Sequence, residues 1–446
     1  MTKTPATQSL LIAPDADYRS GKTTPNDVLA QRLGVIDRRE ASVKAFTALA
    51  RDAAQEAAER STRRWRDNDP LSPIDGMVIG IKDVIETCDL PTGQGSPLWE
   101  GFETRRDAAS VQALREAGAI ILGKTTTTEF ATSYTYADTR NPHDTNRTPG
   151  GSSSGSAAAV GAGMIAGALG TQVVGSTLRP SSYCGVVGYK PSFGALNRGG
   201  SYDQLSHSCL GTLASTLSGA WSIAMAIAKR VGGDPGHFGL CGPEDLPEAQ
   251  SLSRVAVLKT AGWSERTAGA SASFEEELAR LSAAGVKLVT SETDSELFYL
   301  EQLLAQAWPL TMRILAWEFS WPLRSYPYDQ LSPTMQHRVD AGKAMTLAQY
   351  HDALVQRDVI RGVYAKIASR VDCFLTLSAT GAAPRIDEST GSPAMNVPAS
   401  LLGVPAVSLP ILQDQNLPLG LQLIGRMQDD ALLMSQARWR LEAIAP

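Results

Sequence analysis

The chain has 446 residues, of which 43% are hydrophobic and 20% charged, with a formal net charge of −5. That length can bury a large core, the balance is ordinary for a soluble globular protein, and the mild acidity leaves no electrostatic footprint for nucleic acid. Five widely spaced cysteines (Cys88, Cys184, Cys209, Cys241, Cys373) make no CxxC or Cys/His spacing, which argues against a disulfide framework and a zinc site.

The N-terminus has only a very short apolar stretch, Leu10 to Ala13, too brief for a secretory signal, so a cytoplasmic location is expected. Apolar residues at three- and four-residue spacing predict helices over Asp27–Leu33 and Arg38–Arg60, within a helical segment of about 18–66. Arg60, Arg63, Arg64 and Arg66 alternate with other residues around Trp65 and read as a solvated helix face. After Pro70, Pro73 and Asp75-Gly76, the Val/Ile-rich MVIGIKDVIE (77–86) reads as a buried strand. A helix over Ala108–Ala117 ends at Gly118, and AIILGK (119–124) follows as a strand, the alternation of an α/β fold.

Residues 139–155 read as a loop and Ser156–Gly167 as a helix of small residues. Further helices are predicted over Thr216–Ala228 and 272–284, the latter flanked by strands at Arg254–Leu258 and Val286–Thr290. Residues 292–360 are helical, with Trp308, Trp317, Phe319, Trp321, Tyr326 and Tyr328 as either an aromatic core or one wall of a pocket. Cys373–Leu377, Ala406–Pro410 and Gly420–Ile424 return to strand. No repeat or long linker divides the chain, so 1–446 reads as one domain. Its parts are a core at about 70–230, a variable helical region at about 290–360 and a sheet-completing part at about 370–440.

The most distinctive stretch is Pro149 to Pro191, PGGSSSGSAAAVGAGMIAGALGTQVVGSTLRPSSYCGVVGYKP. From Pro149 to Leu178 it has no charged side chain, and its two serine-bearing glycine turns, GGSSSG and VVGST, flank a run of small residues. Serines held in a dry place are what nucleophilic catalysis requires. Gly163-xxx-Gly167 also occurs in membrane helix pairs, but the surrounding Ala, Gly, Ser and Thr are too weakly apolar to drive insertion, so no membrane association is expected.

GGSSSGSAAAV followed by LGTQVVGSTLRPSSYCGVVGYKPS resembles the defining block of the amidase signature family. The strand GIKDV, the preceding NPHDTNRTPGG and the later TGSPAMNVPASLLGVPAVSLP are similar to family segments too. The likeness runs from about Tyr18 to Leu433 and is weakest over 230–330. It implies a single large α/β domain with a central mixed, twisted β-sheet covered by helices on both faces. It also implies an amidohydrolase with a Ser-Ser-Lys triad, in which Ser176 is the nucleophile, Ser152 the bridge with a cis peptide bond to Gly151, and Lys82 the general base. The N–H groups of Val173, Val174, Gly175 and Ser176 would form the oxyanion hole, with Ser153 as a neighbouring donor. The implied partners are a small-molecule amide and water, with no cofactor, no metal and a homodimer left open.

Elementary chemistry is consistent with those roles. A serine hydroxyl needs an adjacent base, and all five histidines lie outside the block. Lysine serves as a base only when neutral, which costs roughly 4–5 kcal/mol at pH 7 in water. Burial in an uncharged setting lowers that cost. Asp83 would oppose it, but strand alternation sends Asp83 to the other face.

The chain also departs from the family. Gln172 stands where many members have Asp, Val174 where they have Gly, and Arg179 lies three residues after the nucleophile rather than two. SHSCLG (206–211) replaces the usual acidic Ser-Leu-Asp-Thr stretch. Gln172 with Arg179 is the expected replacement support for the turn. Five other readings compete. Gly151-Ser153-Gly155 matches the G-x-S-x-G elbow, but a turn-rich loop rather than a strand precedes it. GGSSSG as a flexible linker conflicts with the dense apolar sequence after it. The glutaminase subunit of a tRNA-dependent amidotransferase, a urea or carbamoyl-compound hydrolase, and a non-catalytic binding protein share the scaffold.

Overall fold

The computed structural model describes residues 18–132, 137–203 and 205–444; the Leu10–Ala13 stretch lies outside them, as do the ends of the 1–446 span. Eleven strands form one mixed sheet within a single domain: β1 (Phe46–Leu49), β2 (Val78–Lys82), β3 (Ile120–Thr125), β4 (Gly167–Gln172), β5 (Val187–Lys190), β6 (Cys209–Ala214), β7 (Arg254–Val257), β8 (Lys287–Val289), β9 (Cys373–Leu377), β10 (Ala406–Asp414) and β11 (Leu417–Ile424). Their spatial order is β1-β3-β2-β4-β6-β5-β10-β11-β9-β7-β8. β2 runs parallel to both β3 and β4, and β7 parallel to both β8 and β9, while the remaining pairs are antiparallel.

Alternation along the strands divides the core into two layers. Ile79, Ile81 and Ile121 join a cluster with Trp221 of the helix Leu217–Val231. Val78, Ile120 and Leu122 join another with Ala157 to Val160 of the helix Ser154–Gly161. The end of β2 therefore lies between helices on both faces, and Lys82 at its last position is fully buried.

Four strands escape the sequence pattern. β1 falls inside the predicted helix Arg38–Arg60, because the first helix ends at Lys44, a left-handed residue (φ 53°), and Glu40 takes the N–H groups of Ala45 and Phe46. β4, GALGTQ, carries no Val or Ile, and the small-residue helix ends at Gly161 rather than Gly167. Its glycines answer close packing: a Cβ on Gly167 would meet Ile223 at 2.5 Å, and one on Gly170 would meet the Ser153 hydroxyl at 2.7 Å. β5 (VGYK) and β6 (CLGTLA) each carry a Gly and a Lys or Cys, and are strands because they complete the sheet beside β4 and β10.

Gly155 sets how near the helix Ser154–Gly161 comes to β3. A Cβ there would lie 2.1 Å from the Ala45 carbonyl and 2.4 Å from the Thr126 N–H nitrogen. Both obstacles are backbone, so the helix would have to move. Gly155→Ala is expected to cost on the order of 1–3 kcal/mol in urea unfolding; a change within about 0.5 kcal/mol, the level of a neutral surface substitution, would show that the contact is not tight.

Candidate active site

Lys82 ends β2 and Thr171 lies near the end of the neighbouring parallel strand β4. The lysine Nζ is 2.7 Å from Ser152 Oγ and 2.6 Å from Thr171 Oγ1, with no solvent exposure. Ser152 follows the cis peptide bond from Gly151 and sits in the turn before the helix Ser154–Gly161. The next residue, Ser153, uses its hydroxyl to accept from the Thr171 N–H and donate to the Thr171 carbonyl, both at 3.3 Å. Its own N–H donates to the Ser176 carbonyl at 3.2 Å. The two serine turns, far apart in sequence, are thus joined directly, and Ser176, buried to 5% exposure, faces a cavity of about 540 Å³.

Burial dominates the electrostatics of Lys82 and lowers its pKa to about 8. Opposing it is the carboxylate of Asp203, which raises the pKa. This corrects the expectation of a setting without charge: the Ser-rich block is uncharged, but the chain returns through residues 200–203 beside the end of β2. Tyr202 N–H bonds to the Val84 carbonyl, and Ser201 bridges to Ile85. Asp203 is buried, accepts from Ser201 Oγ at 2.8 Å, and leaves Oδ2 without a hydrogen-bond partner among the described residues. Asp83, as alternation predicts, turns the other way, to Lys124 at 3.2 Å and the Gly93 N–H at 3.1 Å.

Gln172 supports the second turn, as expected for a replacement of Asp. Its Oε1 accepts the N–H groups of Thr177 and Leu178, each at 3.0 Å, and its Nε2 donates to Ser400 Oγ at 3.1 Å. Ser400 in turn donates to the Val174 carbonyl at 3.4 Å. The amide therefore caps the short helix Leu178–Cys184 where the family carboxylate would stand. Arg179 has no carboxylate partner among the described residues; it donates to the Gly151 carbonyl at 2.7 Å and to Thr390 Oγ1 at 3.4 Å, tying the first turn to the second. Gly175 is required by proximity, since a Cβ would meet Asn396 Oδ1 at 2.9 Å. Val173 and Val174 line the cavity.

Thr171, Asp203, Ser400, Asn396 and Arg338, another cavity residue, are site residues that the sequence pattern does not single out. For Thr171 a signal existed, one position before Gln172; the others come from distant segments that only the fold brings in. The aromatic-rich region does supply a wall, through Trp308 and Phe319. A grouping of Cys88, Asp89 and Asp107 lies close enough to hold a metal ion, but Arg115 already contacts both carboxylates, at 2.7 and 2.9 Å, and supplies the positive charge. Among the described residues, no helix is long and apolar enough to cross a membrane.

The Amidase family profile matches residues 27–434. The chain belongs to the amidase family. It is 30% identical over 461 aligned residues to a component of the glutamyl-tRNA(Gln) amidotransferase of Chloroflexus aggregans, covering 93% of this chain and 92% of that protein. It is 32% identical over 444 residues to AtzE, a component of the 1-carboxybiuret hydrolase of Pseudomonas sp. (strain ADP), covering 93% and 94%. A solved amidase superposes with a TM-score of 0.82 at 26% identity, covering 96% of this chain and 98% of the other. This amidase-family chain is a hydrolase of carbon–nitrogen bonds, an amidohydrolase.

Replacing Gln172 by Leu would strip two helix N–H groups and a serine of their partner. The expected loss is about 2–3 kcal/mol of stability, since buried unpaired donors are costly. Urea unfolding checks it, and Gln172→Glu should retain most of the stability if the accepting oxygen is what matters.

Proposed function

We propose that Ser176 is the nucleophile of this amidohydrolase, Ser152 the proton relay and Lys82 the general base. The observation that carries the reading is the 2.7 Å contact between a fully buried lysine amine and the Ser152 hydroxyl, on the loop whose next residue bonds to the Ser176 main chain. Neutral Lys82 takes the Ser152 proton as Ser152 takes that of Ser176, and Ser176 Oγ bonds to the amide carbon. The carbonyl oxygen, now carrying charge, is held by the N–H groups of Val173 to Ser176. Gln172 already occupies the two N–H groups that follow, which leaves the donors free for a ligand on the Ser176 side of the turn. The proton then returns through Ser152 to the nitrogen as the C–N bond breaks. Water cleaves the acyl-enzyme by the same relay and releases the acid.

Thr171 holds the second Lys82 contact and fixes the amine toward Ser152. Asp203 stabilises the ammonium that forms when Lys82 takes the proton. With a pKa of about 8, roughly one lysine in ten is neutral at pH 7, so the base stays available while its proton affinity stays high. The relatives that belong to amidotransferases support a second reading, a glutaminase that needs a partner chain; hydrolysis of glutamine and co-purification of that partner would favour it. We further propose a cytoplasmic location for the protein.

Ser176→Ala should abolish both amide hydrolysis and labelling by a fluorophosphonate, and a label found on another serine would overturn the assignment. Because only neutral Lys82 accepts a proton, the rate of Ser176 labelling should rise with pH through about 8. Removing the nearby negative charge makes the ammonium easier to deprotonate, so Asp203→Asn should move that rise to lower pH. A limb that stays in place would remove Asp203 as an influence on the base.

A further inference from the structure

Arg338 stands on the second turn of the helix Pro333–Ala344 and lines the cavity that holds Ser176. Several shielded guanidiniums in this protein have partners: Arg64 has Asp75, Arg198 has Asp234, Arg440 has Glu277, and Arg179 has the Gly151 carbonyl. Arg338 differs. Among the described residues it makes no ion pair and no hydrogen bond to protein, and its Nε is sealed from solvent with no partner. Its one specific neighbour is the Phe319 ring, 5.6 Å away from centroid to guanidinium carbon. Burial pushes its pKa down, as expected for a cation partly withdrawn from water without a counter-ion.

A guanidinium in such a place is costly unless something anionic meets it. Its planar fork of donors matches a carboxylate. The cavity does contain one acid, Glu388, but it is exposed on the loop opposite and forms no ion pair with Arg338 among the described residues. The volume of about 540 Å³ suits a small organic molecule. Between the polar groups the walls are Trp308, Met312, Leu315 and Phe319, which favour hydrocarbon.

We infer that the substrate is an amide that also carries a carboxylate, with the scissile carbonyl at Ser176, the carboxylate on Arg338 and an apolar link between them. This rests on the hydrolase roles proposed above, and the test separates the two. The monoamides of dicarboxylic acids from succinic to suberic and phthalic acid, together with N-acyl amino acids, are compared with matched amides lacking the acid. The acid-bearing member of a pair should be preferred by about 100-fold in kcat/KM, mainly through KM, the size expected for a desolvated charge pair. Which of the two series shows the preference tells whether the acid belongs to the acyl or the amine side. In Arg338→Gln the ratio of the pair should fall to about one, and Arg338→Lys should restore part of it. A wild-type enzyme that labels at Ser176 yet treats both members of each pair alike would overturn this inference alone, as would an Arg338→Gln variant that keeps the ratio. An unlabelled Ser176 with no hydrolysis of any amide would overturn the hydrolase roles and this inference with them.

Discussion

A lysine amine taken fully out of water loses most of what normally keeps it charged, and the site is organised around that fact. At Lys82 burial lowers the pKa to about 8, two hydroxyls at 2.7 and 2.6 Å replace the lost water, and a single carboxylate, Asp203, keeps the fall from going further. A lysine in water would be protonated too firmly to act as a base, and one with no counter-charge would hold an abstracted proton too weakly. The second buried pair, Asp83 with Lys124, stands one residue away on the opposite face and is kept apart from this balance by strand alternation.

The small residues follow from the same constraint. Joining the two serine turns beside Lys82 requires the helix Ser154–Gly161, β4 and the segments around them to pack closer than ordinary side chains permit. Gly155 lies against the backbone of Ala45 and Thr126, Gly170 against Ser153, and Gly175 against Asn396. Gln172 then holds the second turn without a formal charge. An amide caps two N–H groups as an acid would, yet adds no further negative field near a lysine that already has one carboxylate.

Much of this was legible in the sequence because its signals are local. The charge-free Ser/Gly block, the Val/Ile strand with Lys82 at its end and the alternation that turns Asp83 away are all short-range patterns. β4 was not legible, since GALGTQ has the composition of a turn and becomes a strand through neighbours on both sides. Asp203 and Arg338 were not legible either. Nothing near Asp203 in sequence announces that residues 200–203 return to Val84 and Ile85, and Arg338 is one basic residue on an otherwise ordinary helix until its lack of a partner among the described residues is seen. The uncharged block suggested a site without carboxylates. Tertiary structure brought one in.

The central claim is that Lys82, Ser152 and Ser176 act as one proton path beside a set of main-chain donors. A crystal structure of the fluorophosphonate-treated protein tests it most directly. The account predicts phosphorus bonded to Ser176 Oγ, the phosphoryl oxygen among the N–H groups of Val173 to Ser176, and Ser152 Oγ lying between the adduct and Lys82 Nζ. Phosphorus on Ser152 or Ser153, or an adduct on Ser176 with Lys82 turned away from Ser152, would contradict it.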